Sequence, residues 1–177
     1  MIGQEQKFHR RSIRLKGFDY TNSSWYFITI CVHHFKCSFG DILGDKIFLS
    51  EIGLIARDCW ESIPAHFAFV ELDEFIVMPN HLHGILIIDE SIRAQHVEPL
   101  HAERKYQNIV AGSLSSIIRS YKAAVTKKCR ELGYEFTWHR NFYEHIIRRD
   151  KELFNIKKYI RYNALKWREE DEYYKEP

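Results

Sequence analysis

Two histidines separated by one leucine are the residues of this sequence best suited to chemistry. His81 and His83 follow a turn-forming Met-Pro-Asn and open a hydrophobic run that ends at Ile88. Side chains alternate between the faces of a β-strand, so both imidazoles would point one way while Leu82 enters the core. They would stand about 7 Å apart along the strand, close enough to chelate one metal ion. On its own, the pattern more often marks one histidine packed on a sheet beside another that caps a turn.

A second chemical group lies on the last predicted helix, over about residues 150–167. Tyr159 and Asn163 are four residues apart, so they share one helix face, one turn from each other. A tyrosine in such a helix ordinarily packs its ring and leaves its hydroxyl in water. The remaining positions fit an amphipathic helix, with Ile156 and Ile160 as anchors and Lys157, Lys158 and Arg161 in solvent.

The composition predicts one domain over residues 1–177. Its 45% hydrophobic and 15% aromatic content is typical of a compact globular protein and excludes a disordered one. The four cysteines form no C-x-x-C pair, which argues against a zinc finger and a secreted disulfide framework. Because no apolar run approaches about 20 residues and the N-terminus is too polar for a signal peptide, we expect a cytoplasmic protein without a membrane partner.

The net charge of +2 hides a segregation of charge along the chain. Residues 41–90 hold ten acids and two bases, whereas residues 113–168 hold fourteen bases and five acids. A basic arm over residues 1–24 adds a second positive region, and residues 168–177 form an acidic tail. This distribution suits a polyanion such as nucleic acid, although solvated helix faces account for part of it.

The hydrophobic periodicity predicts the elements that must position these groups. After the arm we expect a strand over 25–33, a hairpin over 39–49 and a helix from Ser50 to Pro64. Antiparallel strands over 67–78 and 81–89 come next, followed by a long connection over 90–112. The chain then forms a helix from Ser113 or Ser115 to about Leu132, a strand over 141–148 and the last helix. This order predicts an α+β fold. It is that of a ferredoxin-like sandwich, an antiparallel sheet with helices on one face, plus an extra C-terminal helix.

Five ordered segments carry a resemblance to a known family. They read Arg-Arg-Ser-Ile-Arg-Leu-Lys-Gly at 10–17, Met-Pro-Asn-His-Leu-His at 78–83, Gly-Ser-Leu-Ser-Ser-Ile-Ile-Arg-Ser-Tyr-Lys at 112–122, Trp-His-Arg-Asn-Phe-Tyr-Glu-His-Ile-Ile-Arg at 138–148 and Tyr-Ile-Arg-Tyr-Asn at 159–163. The chain thereby resembles the single-tyrosine HUH transposases, specifically the REP-associated tyrosine transposases. It departs from them at His139, where glutamine is usual, and at Ala164, where proline is usual. Without that proline the last helix can run on through Trp167.

The resemblance implies a set of site residues. His81 and His83 would be metal ligands, Asn163 would match the third, amide-type ligand, and Tyr159 would be the nucleophile. Tyr162 is the nearest rival nucleophile, three residues on and about 60° further around the helix. A site of imidazole, amide and phosphate ligands suits one divalent metal ion, Mg²⁺ or Mn²⁺.

The chemistry of these residue types agrees with that implication. A phenol with a pKa near about 10 is a weak nucleophile at neutral pH, and a metal that polarises the phosphate would activate the reaction. Attack by Tyr159 would leave a 5′-phosphotyrosine and a free 3′-hydroxyl, so the reaction is strand transfer and not hydrolysis. Nearby Lys158 or Arg161 would favour the phenolate, and the sequence does not choose between them.

The implied partner is single-stranded DNA with a hairpin of the repetitive extragenic palindrome kind. Candidate phosphate-binding residues lie in the arm and on the basic helices, and Tyr143, Trp138 or Tyr26 could stack on bases. The alternative for each ring is core packing, which is the better interpretation for Tyr26. The DNA-binding candidates are Arg10, Arg11, Arg14, Lys16, Arg119, Lys122, Arg140, Tyr143, Lys158 and Arg161. Both a homodimer and a monomer fit the sequence.

Two other functions fit parts of the sequence. A hairpin DNA-binding or RNA-binding protein that does not cut would keep the basic surface and would tolerate loss of Tyr159 or the histidines. A metal-dependent phosphoesterase would use the histidine pair with Glu144 and an activated water, and would form no covalent DNA adduct.

Overall fold

The computed structural model describes residues 23–89, 91–92 and 112–174, with side chains described up to Trp167. Most of the predicted arm, including Arg10, Arg11, Arg14 and Lys16, lies outside these residues. So does most of the predicted connection over 90–112.

A four-stranded antiparallel sheet forms the centre of the fold. Its strands are β1 (Ser24–Cys31), β4 (Val70–Met78), β5 (His81–Ile88) and β6 (Tyr143–Ile147), and their order across the sheet is β4-β5-β1-β6. A separate hairpin consists of β2 (Gly40–Leu43) and β3 (Lys46–Leu49). The helices are α1 (Glu51–Glu61), the one-turn α2 (Ile63–His66), α3 (Leu114–Glu131) and α4 (Asp150–Tyr174). The strand order confirms the predicted ferredoxin-like sandwich.

One face of the sheet packs against α1 and α3 and holds the main core. Tyr26, Ile28 and Ile30 of β1 are buried there with Leu82 and Leu86 of β5. The helices contribute, among others, Trp60, Ile117 and Val125. Both helices begin at a serine cap, since the Ser50 hydroxyl accepts from the Gly53 amide and the Ser113 hydroxyl from the Ser116 amide.

The opposite face of the sheet is covered by α4. Ile160 is buried against Ile85 of β5 and Ile147 of β6, while Phe27 and Ile156 pack around them. The extra C-terminal helix therefore lies on the other side of the sheet from the two helices of the sandwich.

Two ion pairs fix α4 along the edge strand β4. Lys157 pairs with Asp73 at 2.6 Å, and Arg161, one turn later, pairs with Glu74. Consecutive strand residues normally face opposite sides, but the register of β4 shifts between Leu72 and Phe75. Such an irregularity re-aims side chains, which lets both carboxylates reach the helix. Both cations were expected in solvent: Arg161 is exposed although it is paired, whereas Lys157 is only 28% exposed, so the expectation was wrong for Lys157.

Two predicted helix ends also need correction. Pro64 does not end α1, which stops at Glu61; it lies in the first turn of α2, where its missing amide hydrogen costs no helical bond. The last helix extends past Trp167 to Tyr174. Ala164 lies inside it and leaves its hydrogen bonding intact. In the described part of the chain, no helix is long and apolar enough to cross a membrane.

Gly84 marks the closest approach between the sheet and α1. A Cβ atom at this position would lie 2.4 Å from the indole ring of Trp60, which is fully buried. We expect Gly84→Ala to lower the free energy of unfolding by about 1–3 kcal/mol, since the ring has nowhere to move. Urea denaturation measures this. In a Trp60→Phe background, where the ring is smaller, the same substitution should cost less; an equal cost in both backgrounds would contradict the packing described.

Candidate active site

The two histidines lie side by side on the sheet face that α4 covers. The Nε2 atoms of His81 and His83 are 3.0 Å apart, and Leu82 between them is fully buried in the core on the other face. The predicted alternation of these three residues is confirmed, and the rings turn toward each other more closely than their spacing along the strand suggests.

Each imidazole is held through its other nitrogen. Nδ1 of His81 lies 2.6 Å from the side-chain oxygen of Asn80, and Nδ1 of His83 lies 2.8 Å from the hydroxyl of Thr29. An amide oxygen only accepts, so the network assigns the His81 proton to Nδ1 and leaves its Nε2 lone pair for a ligand. The Thr29 hydroxyl can donate or accept, so His83 can adopt the same tautomer.

Burial keeps this pair uncharged. Loss of solvent lowers the pKa of His81 to about 4. Loss of solvent, together with electrostatic repulsion from a protonated His81, lowers the pKa of His83 to about 3. Neutral imidazoles are the form that binds metals, so no proton must leave before a cation enters at neutral pH.

The separation of the two Nε2 atoms fits a divalent cation. Two ligands bonded at right angles to one ion, each about 2.1 Å away, lie about 3.0 Å apart. Within the described residues, no third histidine, cysteine or carboxylate completes a metal-binding cluster with them. A further ligand from this part of the chain would be of another type, such as an amide.

Tyr159 reaches this pair from α4. Its hydroxyl lies 3.2 Å from Nε2 of His83, and its ring meets the His83 ring edge-on with centroids 5.2 Å apart. Phe27 supports both side chains, because it stacks on His83 at 5.3 Å and meets the Tyr159 ring at 6.0 Å. The structure thus brings together the three residues that the sequence analysis placed at the centre of the site.

Asn163 lies on the same stripe of α4, one turn beyond Tyr159. One turn further, the ring of Trp167 lies 5.9 Å from that of His81. Asn163 therefore lies between two residues that contact the histidines, and it is buried, with 6% of its surface exposed. This placement is compatible with an amide ligand, and its role as a ligand stays a prediction.

The cations near Tyr159 differ from those expected. Arg161 is engaged by Glu74, and its pKa is raised by that hydrogen bond. Lys158 is exposed, and the amine over the Tyr159 ring, 5.9 Å from its centroid, belongs to Lys166. Lys166 follows Tyr159 by seven residues, or about two helical turns, a spacing that could have suggested it.

The other predicted DNA-binding residues are spread over the molecule. Tyr143 is exposed on β6 beside Phe27, and Arg140 is exposed in the preceding loop. Arg119 and Lys122 lie on α3, on the sheet face opposite the histidines. Their contacts with DNA stay predictions.

Two expectations about solvent-facing side chains are corrected. The Lys122 amine does not project freely into solvent but donates to the carbonyl oxygens of His139 and Asn141 at 2.9 and 3.0 Å. Burial lowers its pKa to about 8. Trp138 does not project into solvent to stack on bases, because its indole donates to the Lys122 carbonyl oxygen. Tyr26 is fully buried, which agrees with core packing as its better interpretation.

Glu144 does not face the histidine pair. It lies opposite Ile28 of β1, whereas its neighbour His145 lies opposite Phe27 and shares the face of the site. The phosphoesterase hypothesis needed Glu144 beside the two imidazoles, and the strand register places it on the other side of the sheet.

Comparisons with known proteins bear on what this site does. No protein-family model matches the chain. An uncharacterized protein of Haemophilus influenzae is 43% identical over 169 residues, which are 94% of this chain and 93% of that protein. A second protein of that organism, named "Putative REP-associated tyrosine transposase", is 27% identical over 150 residues, covering 84% and 74% of the two chains. A solved structure of a REP-associated tyrosine transposase bound to a REP hairpin has a TM-score of 0.59 at 19% identity. The match covers 87% of this chain and 74% of that chain.

The chain is related to the REP-associated tyrosine transposases. The resemblance drawn from the five sequence segments is thereby confirmed. The antiparallel sheet and its helices match the fold of the solved REP-associated tyrosine transposase.

Sequence reasoning missed the residues that hold the site together. Thr29, Phe27 and Trp167 are ordinary residues of predicted elements, and they become important through the pairing of β1 with β5 and the docking of α4. Asn80 directly precedes His81 in the sequence, and this adjacency could have identified it as the partner of the His81 ring.

Thr29 offers a test of the proposed anchoring. We expect Thr29→Val to weaken Mn²⁺ binding by about 10- to 100-fold, because His83 loses the partner that orients its ring. Isothermal titration calorimetry measures this. Thr126→Val is the matched control, since the Thr126 hydroxyl donates to the Lys122 carbonyl oxygen on α3, away from the site. Equal affinities in the two variants would show that Thr29 does not orient a ligand.

Proposed function

We propose that this protein is a metal-dependent transesterase that nicks and rejoins single-stranded DNA next to hairpins, with Tyr159 as nucleophile. The observation that carries the proposal is the distance of 3.2 Å between the Tyr159 hydroxyl and Nε2 of His83. A phenol held at the edge of a buried, neutral histidine pair would be within reach of a phosphate bound to a cation on that pair.

The relatives support the DNA part of the proposal. The name of one curated relative is that of a tyrosine transposase, and the similar solved structure is a tyrosine transposase with a REP hairpin bound. A transposase activity and a hairpin DNA substrate are therefore the simplest assignments for this chain.

The side chains of the site would divide the work of the reaction. His81 and His83, with the amide of Asn163, would hold one divalent cation, while Phe27 and Thr29 keep the His83 ring in place. The chemistry supplied there by a bound Mg²⁺ or Mn²⁺ would be polarisation of the scissile phosphate and stabilisation of its developing charge. Lys166, over the Tyr159 ring, would favour the phenolate form of the nucleophile.

The reaction itself exchanges one phosphodiester for another. The Tyr159 oxygen bonds to phosphorus and loses its proton, the bond from phosphorus to the 3′ oxygen breaks, and that oxygen takes up a proton. The 5′-phosphotyrosine conserves the bond energy, so a second 3′-hydroxyl can reverse the step and join a new strand without ATP.

The surroundings of Tyr159 and Tyr162 support Tyr159 as the nucleophile. Tyr159 contacts His83 and Phe27, whereas Tyr162 is half-exposed on the outer side of α4. We therefore expect Tyr159→Phe to abolish a covalent protein–DNA band on a denaturing gel, and Tyr162→Phe to leave it at the wild-type amount. The substrate is a single-stranded oligonucleotide with a hairpin and flanks, incubated with Mn²⁺ or Mg²⁺.

Each other outcome of this experiment has a definite meaning. An adduct that survives in Tyr159→Phe and disappears in Tyr162→Phe would reject Tyr159 as nucleophile. Tight hairpin binding by the wild-type protein with no adduct in either metal would favour the non-cutting DNA-binding function instead.

A further inference from the structure

A groove of about 710 Å³ opens beside Tyr159 on the face that carries the histidines. It is lined by residues of β1, β6 and the N-terminal part of α4, and Tyr159 is one of them. The volume lies within the range of about 300–1,000 Å³ that is typical of sites for small ligands. The mechanism described above does not use this space.

Part of the groove lining is aromatic and comes from three elements, with Phe27 on β1, Tyr143 on β6 and Tyr159 on α4. The rings of Tyr159 and Tyr143 both meet the Phe27 ring edge-on, at 6.0 and 6.4 Å. Tyr143 is 53% exposed, although it stands on a strand opposite Thr29, the partner of His83. An exposed ring so close to a reacting group offers a flat surface to a planar ligand.

Another part of the lining is polar and positively charged. Arg149 and Lys151 contribute cationic groups, and Asn155 contributes an amide that can both donate and accept. The carboxylate in the groove, Glu152, is already engaged: one oxygen contacts His145 at 2.7 Å and the other accepts from the Arg148 amide at 2.9 Å. The Arg148 amide is the main cause that holds the pKa of Glu152 below its usual value.

We propose that this groove binds one unpaired nucleotide of single-stranded DNA next to the cleaved bond. Its base would stack on Tyr143 with one edge toward Asn155, and its phosphate would lie near Arg149 and Lys151. The inference rests on the proposed function, because it takes the cleaved strand to pass Tyr159. A groove lined by both aromatic rings and cationic side chains suits a planar, polar-edged and anionic ligand.

The first test replaces one base at a time. Single-stranded flanks of a hairpin oligonucleotide carry an abasic residue at each position in turn, and the rate of adduct formation is measured with Mn²⁺. An abasic residue at one position next to the cleaved bond should lower the rate of adduct formation by the wild-type protein about tenfold. This factor lies within the range that one stacked base contributes. Tyr143→Ala should show the same loss on the natural oligonucleotide and no further loss with the abasic one, whereas Tyr143→Phe should behave as wild type.

A matched control excludes a general effect of losing an aromatic side chain. Phe154 lies on α4 outside the groove and is 68% exposed, so Phe154→Ala should leave both rates unchanged. The proposal is overturned if Tyr143→Ala cleaves the natural oligonucleotide at the wild-type rate, or if it keeps the full abasic penalty.

A second readout does not depend on cleavage. In the Tyr159→Phe protein, 2-aminopurine placed along the flank should lose fluorescence at the stacked position, and Tyr143→Ala should restore it. Quenching that depends on Tyr143, without an adduct in the wild-type protein, would support the groove and reject the cleavage chemistry. An adduct in the wild-type protein without any effect of Tyr143 would support the cleavage chemistry and reject the groove. The absence of both quenching and adduct would reject both proposals.

Discussion

The docking of α4 against the sheet is the interaction on which the site depends. Ile160 is buried against Ile85 of β5 and Ile147 of β6, and this burial contributes about 2 kcal/mol to the stability of the fold. Tyr159 directly precedes Ile160, and Asn163 follows it by three residues. The ion pairs of Lys157 and Arg161 with β4 then set where the helix lies along the sheet. Partly exposed pairs of this kind add little stability, so their main effect is on position.

Burial by this helix also sets the chemistry of the histidines. The same loss of solvent that lowers both pKa values leaves two neutral nitrogens facing each other at 3.0 Å. An apolar wall of Phe27 on one side and the α4 stripe on the other strengthens every electrostatic interaction inside. A helix that moved away from the sheet would remove the nucleophile and rehydrate the ligands in one step.

Much of this arrangement could be predicted because it follows from local pattern. The alternation of His81, Leu82 and His83 requires only a strand, and the helical spacing of Tyr159 and Asn163 requires only a helix. The order of elements along the chain was enough to indicate the ferredoxin-like topology.

The remainder depends on register between distant segments. Thr29 opposite His83 is set by the pairing of β1 with β5, and Glu144 was wrongly placed near the site because one step along β6 changes the face of the sheet. Asp73 and Glu74 reach α4 through a local irregularity in β4 that no hydrophobic pattern announces. Residues whose importance arises from such cross-strand and helix–sheet contacts carry no signal in a single sequence.

A crystal structure of the protein soaked in Mn²⁺, with anomalous diffraction to locate the ion, would show whether the histidine pair binds a metal beside Tyr159. We predict one anomalous peak bonded to Nε2 of both His81 and His83, with the Tyr159 hydroxyl facing it from α4. A peak elsewhere, or no peak at the histidine pair at saturating Mn²⁺, would contradict the claim that these three residues form one catalytic centre.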